Sequence, residues 1–181
     1  MKRKTFLQNS GLAIGFTMFS GVGKSIAKTS RLLSEGNAPK VVKDADGEVL
    51  DVIGDIQTHK LLGADTNNQM VEWVDNVEPG VGIPPHIHTK EDEIFRVVEG
   101  EVEIMVDGQV TVLKDGDMAY APKNVPHAWK VVGTSKAKMI TSAFPAGIEH
   151  MFVELSKLPE GPPDFAKVTE ICGRHGIKFL S

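Results

Sequence analysis

Two histidines and a carboxylate stand close together in the stretch Gly80 to Gly100, GVGIPPHIHTKEDEIFRVVEG. His86 and His88 are two residues apart, and in a strand residues i and i+2 project from the same face. Both imidazoles can therefore address one metal ion. Glu93 lies five residues past His88, on the opposite face if alternation were strict. The polar run Thr89-Lys90-Glu91-Asp92 can turn and reset that phase, so that Glu93 enters from the next strand. Glu91 and Asp92 stand close enough to Glu93 to compete for the place if the turn slips by a residue. His127 follows Asn124-Val125-Pro126, a turn leading into a strand, and is the natural fourth ligand. Neutral imidazoles and one carboxylate suit a divalent first-row metal, which takes borderline nitrogen donors and one negative charge.

The elements that must carry these residues read as β structure. Val102, Ile104 and Val106 alternate with Glu101, Glu103 and Met105. Asp107-Gly108 then predicts a two-residue hairpin turn, because both positions tolerate positive φ. On this reading Val110 and Val112 continue the apolar face on the return strand. Further strands are expected at Met70–Val77, Ile94–Glu99, Ala128–Val132, Lys138–Phe144 and Glu149–Leu155. Many short strands separated by turns point to a sandwich or small barrel. Near the end, Phe165, Val168, Ile171 and Cys172 fall at helical spacing. Asp164 is placed to cap that helix and Gly176 to stop it. Cys172 lies on the apolar stripe and is expected to be buried and inert. It is the sole cysteine, which excludes a disulfide within the chain and a cysteine-rich zinc site.

Gly80, His86, His88, Glu93 and Gly100 resemble the first cupin motif, G-x5-H-x-H-x4-E-x6-G, at every fixed position. Gly116, Pro122 and His127 resemble the second, G-x5-P-x-G-x2-H-x3-N. Asn124 replaces a glycine there and Val131 an asparagine; Asn also tolerates positive φ and can make the same turn. The resemblance spans roughly residues 65–145, and the C-terminal segment is similar to that of small bacterial quercetin dioxygenase-like cupins. It implies an all-β fold, a double-stranded β-helix or jelly-roll barrel, with a short C-terminal helix. It also implies one divalent transition metal ion (Fe, Mn, Ni, Co, Cu or Zn) held inside the barrel by His86, His88, Glu93 and His127. By that analogy the chain is a dioxygenase-like oxidoreductase for a small enol or phenolic substrate, with Glu93 both ligand and general base. The alternatives are a metal-dependent isomerase, epimerase or lyase on a sugar or small polar molecule, and a non-enzymatic binding protein. Candidates to line the pocket are Ile83, Phe95, Val97, Met105, Tyr120, Trp129 and Ile140, while Arg96 is expected to face solvent. His59, His150 and His175 are expected at the surface. Pairing into a homodimer is expected by analogy.

The chain's ends and balance set the remaining expectations. Its 181 residues allow one ordinary domain with a short extension. A net charge of −4 disfavours a nucleic-acid binder. Lys2, Arg3 and Lys4 precede an apolar run from Gly11 to Val22, and Ser25-Ile26-Ala27 supplies the small residues of a cleavage site. Arg3-Lys4-Thr5-Phe6-Leu7 is similar to the twin-arginine export pattern, with Lys4 in place of the second arginine. The expected division is an export signal at 1–27, a linker at 28–40, a barrel at 41–160 and a helical tail at 161–181. A mature chain starting at Lys28 would carry 16 basic and 24 acidic residues, a charge of −8. It is expected in the periplasm or cell envelope, without a stable membrane span.

Overall fold

The computed structural model describes residues 38–180. The expected export signal lies outside the described residues, as does the expected linker up to residue 37. Among the described residues eleven strands fill two antiparallel sheets. They are β1 (Glu48–Val52), β2 (Asp55–Leu61), β3 (Val71–Val77), β4 (Gly82–His88), β5 (Asp92–Glu99), β6 (Val102–Val106), β7 (Gln109–Leu113), β8 (Met118–Ala121), β9 (His127–Val131), β10 (Ala137–Phe144) and β11 (Ile177–Phe179). Among the described residues three helices accompany them: α1 (Gly63–Thr66), α2 (Glu149–Leu155) and α3 (Phe165–His175).

The first sheet runs β1-β2-β3-β10-β5-β8 and the second β11-β4-β9-β6-β7. Successive strands from β3 onward fall in opposite sheets, except at the β6–β7 hairpin. This is the jelly roll that the sequence resemblance implies, with β1, β2 and β11 added at the sheet edges. Alternation along each strand turns one face inward. On β3, Val71, Trp73, Asp75 and Val77 are buried; on β5, Glu93, Phe95 and Val97 are. One core group, including Val77, Val97, Val102, Ile104, Val131 and Met139, fills one end of the barrel. The other joins Val71, Trp73 and Ala143 to the inner faces of α2 and α3.

Turn chemistry holds where it was read. Asp107 and Gly108 both have positive φ, 51° and 77°, and Gln109 pairs with Val106 across the turn. Asn124 sits at φ 65°, in the left-handed region that the glycine it replaces would adopt. Asp164 accepts hydrogen bonds from the amides of Ala166 and Lys167, and Gly176 ends α3 at φ 96°.

Several expectations are corrected. Residues 149–155 are helix α2, not a strand. Met151, Val153 and Leu155 mimic strand alternation, but Ile148, Met151, Phe152 and Leu155 recur at i, i+3, i+4 and i+7, and all four are buried. The hairpin register sets Val110 opposite Met105 and Val112 opposite Glu103, so both valines face outward, 60% and 43% exposed. Leu113, opposite Val102, continues the apolar face instead. His59 is buried, stacked on Trp73 with the edge of Phe152 against it. Tyr120 and Met105 lie outside the barrel wall, as does Ile140, which pairs with the exposed Arg96.

Candidate metal centre

His86 and His88 end β4 on one inward face, as their spacing requires. Residues 89–91 form the turn that resets the phase, and β5 opens with Glu93 pointing inward. His127, first residue of β9, pairs directly with His86 across the sheet. The four buried side chains offer ligand atoms that all lie within 4.8 Å of one another. The imidazole rings of His86 and His127 are 4.3 Å apart by centroid, those of His88 and His127 4.9 Å. Pairing of β11 with β4 stiffens this strand from the other side: Ile177 stands opposite His88 and Phe179 opposite His86.

The donor atoms fit a cation. His86 Nδ1 lies 2.9 Å from the Pro84 carbonyl and His127 Nδ1 3.1 Å from the Val125 carbonyl. A carbonyl can only accept, so each Nδ1 carries the proton and each Nε2 presents a lone pair. Those Nε2 atoms face further acceptors. His86 Nε2 is 3.0 Å from His88 Nε2, and His127 Nε2 is 3.1 Å from Glu93 Oε2. His88 Nε2 is 3.5 Å from the same carboxylate oxygen. Electron-rich atoms so arranged suit a divalent metal at their centre. Burial also favours the neutral form of His86, which is pushed down to about 3 by desolvation and then by its two histidine neighbours. His88 is lowered for the same first reason. Burial works against the Glu93 charge, whereas positive charge at the facing His88 and His127, a charge that a bound cation would supply in their place, holds it below the ordinary range.

Sequence reasoning named no outer partner for the ligands. Glu91, weighed as a rival to Glu93, is buried behind His88 with Oε2 3.8 Å from His88 Nδ1. Both atoms lack a hydrogen-bond partner among the described residues. If His88 Nε2 turns its lone pair to a metal, Nδ1 bears the proton and faces this carboxyl. That is the usual arrangement behind a histidine ligand. Glu91 therefore belongs to the surroundings of the cluster, outside the set of four.

The cluster opens on a cavity of about 350 Å³. Ile83, Phe95, Trp129, Trp73, Ile148 and Phe152 supply much of its wall, and α3 contributes Val168 and Cys172. Among the described residues, no lysine or arginine lines it. The Cys172 thiol is pushed up to about 11 by burial, which leaves it a poor nucleophile. Of the remaining histidines, His150 is exposed and His175 bonds Glu154, both away from the cluster.

Residues 73–143, which contain all four clustered side chains, match the family model described as "Cupin domain". The fold is shared with KdgF from Halomonas sp., at 19% identity and a TM-score of 0.56, over 62% of this chain and 99% of that one. It is shared likewise with an RmlC-like cupin from Shewanella frigidimarina, at 22% identity and TM-score 0.55, over 64% and 98%. A third is the polyketide cyclase RemF from Streptomyces resistomycificus, at 21% and 0.52, over 59% and 80%. A search of the curated proteins returned no match.

Proposed function

We propose that this chain, whose residues 73–143 match the cupin-domain model, is a metal-dependent oxygenase acting on a small enol or phenolic compound. One observation carries this reading: a three-histidine, one-glutamate cluster opens directly on an aromatic and aliphatic cavity free of lysine and arginine among the described residues. Such a wall suits a flat apolar ring and offers no cation to a carboxylate or phosphate. A bound divalent first-row metal would supply Lewis acidity and, for the redox-active ions, electron transfer to dioxygen. His86, His88 and His127 would hold it through Nε2. Glu93 Oε2 is the proton acceptor nearest to that point, ionised and buried, and is placed to take the proton of an enol or phenol hydroxyl. Phe95 and Trp129 would orient the ring and exclude water.

The reading of the chain as a sugar isomerase, epimerase or lyase draws less support. Inward Arg, Lys or Gln would favour a sugar or a carboxylate, and among the described residues no lysine or arginine lines the cavity. The inward amide Gln57 is already engaged with Asp55 at 2.8 Å and His59 at 3.1 Å.

The test is an assay of the metal-loaded protein with flavonols and enediols, with and without oxygen. The expected result is substrate loss that requires oxygen and consumes it in step. Loss of substrate without oxygen uptake would overturn the reading. We also propose that the protein acts outside the cytoplasm, on the strength of the basic and apolar stretches before Ala27. Sequencing of the protein recovered from the cell envelope is expected to begin at Lys28, and a chain still beginning at Met1 would refute export by cleavage.

A further inference from the structure

The polar groups inside the chamber are turned to one another. Gln57 donates to Asp55 at 2.8 Å, Thr141 donates to Asp75 at 2.5 Å, and the two carboxyls hydrogen-bond each other. Away from the metal cluster the chamber therefore offers a ligand mainly apolar wall, and its limit is the mouth. Of the described residues that line it, four are exposed: Ile53, Pro84, Phe165 and Thr169. They mark where the cavity meets solvent, between the β1–β2 turn, β4 and one face of α3. None of the four is charged. Phe165 and Ile53 are large and apolar, yet 74% and 39% exposed. Phe165 lies one turn before Val168 on α3, Ile53 follows Val52, and Val52 and Val168 belong to one buried core group. The two exposed side chains thus stand at the edge of a shared core, where the cavity opens.

Ile53 holds this place against its own backbone preference. Val52 pairs with Asp55, so Ile53 and Gly54 form a two-residue hairpin turn, with φ of 58° and 89°. The first position of such a turn favours Asn or Asp and crowds a β-branched side chain. Asp51 Oδ1 accepts from the Gly54 amide at 2.8 Å and helps to hold the turn. Asparagine would serve the fold better there. What isoleucine supplies instead is a bulky apolar group at the cavity mouth, and backbone strain of this kind gathers at ligand sites. Phe165 is likewise spare to the packing of α3, whose buried residues are Val168, Ile171 and Cys172.

We propose that Ile53 and Phe165 form an outer subsite at the mouth, which grips the far end of an aromatic substrate longer than one ring while its hydroxyl end lies at the metal cluster. Ile53 is then a specificity-determining residue that selects for length and apolarity. The inference rests on the cavity's being the substrate chamber and not on the oxygen chemistry assigned to it.

Phenol and 4-phenylphenol serve as probes that differ by one ring along the molecular axis. Calorimetric titration of the full purified chain gives the affinity of each, and their ratio is the measured quantity. The wild type is expected to prefer 4-phenylphenol. Ile53→Asn and Phe165→Ala are each expected to cut that preference about fivefold, the effect of returning roughly 40 Å² of apolar contact to water. Phenol affinity is expected to stay at the wild-type value in both. Ile53→Asn is also expected to melt a few degrees above wild type, because asparagine accepts the left-handed backbone. An unchanged ratio in either variant would overturn the assignment of that residue, and a wild type without the preference would overturn the subsite. An Ile53→Asn chain that melts at or below the wild-type temperature would show that isoleucine serves the fold and would overturn its role in specificity. Oxygen uptake is measured separately, so loss of the oxygenase reading and loss of this subsite are told apart.

Discussion

Glu91 and Glu93 are both buried, and what separates them is what each one faces. Glu93 Oε2 meets His127 Nε2 and His88 Nε2, the atoms that would share a cation. Glu91 meets the far nitrogen of His88, and burial pushes its carboxyl up to about 7. Removing a direct ligand and removing its outer support have different consequences. Glu93→Gln is expected to abolish stable metal retention, and Glu91→Gln to weaken metal affinity about tenfold. Elemental analysis after dialysis against a mild chelator checks both. Equal metal content in the two variants would mean that neither carboxylate has the place described for it. The sequence leaves a slip between these two residues open. It is closed by the inward face of β5, where Glu93 continues into Phe95 and Val97.

At the scale of elements, the site depends on how closely β4 approaches β9. Gly82 pairs with Lys130, and a β-carbon built on it would collide with the Trp129 carbonyl oxygen and come within 2.6 Å of the Lys130 Cα. These are backbone atoms and cannot swing aside, so the two strands would have to part. Gly82→Ala is expected to destabilise the protein by roughly 1–3 kcal/mol, the range for overpacking a tight contact. It is also expected to loosen metal binding, because β4 carries two of the four ligands and β9 a third. Thermal unfolding and metal content of the variant, each compared with wild type, provide the check; wild-type values for both would show that the strands have room to spare. Helix α2 teaches a different lesson about elements. Its residues satisfy period two at Met151, Val153 and Leu155, and together with Ile148 just before the helix they satisfy helical spacing at Met151, Phe152 and Leu155. Only the presence of an apolar barrel end on one side selects between them.

For the whole molecule, the Asp55–Asp75 pair makes stability depend on pH with a definite sign. Both acids are raised in the folded state, Asp55 to about 6 from 3.8. Between those values the folded chain binds more protons than the unfolded one, so stability falls as pH rises through the window. His86 acts oppositely. Its pKa is depressed from 6.5 to about 3, so the unfolded chain binds more protons there and stability falls as pH drops through that range. Replacing Asp55 by Asn removes the share that Asp55 itself contributes and leaves that of His86 in place. The variant is expected to melt a few degrees above wild type at pH 8 and to lose that advantage by pH 4. Calorimetric melting at both pH values is the measurement, and a constant difference between the two proteins would show that Asp55 does not titrate in this window.

The spacing of His86 and His88 determined by itself that two imidazoles share a face, because side-chain direction in a strand has period two. The turns at Asp107-Gly108 and Asn124 and the caps of α3 were likewise local, set by which residues tolerate positive φ or supply a side-chain acceptor. The outward turn of Val110 and Val112 was not local, since pairing register across a hairpin decides which face a strand shows. Nor was the approach of His127 to residues some forty positions earlier, or of Asp55 to Asp75. Those meetings are made by strand order, and a sequence read one neighbourhood at a time contains the ends of such contacts without the sheet that joins them.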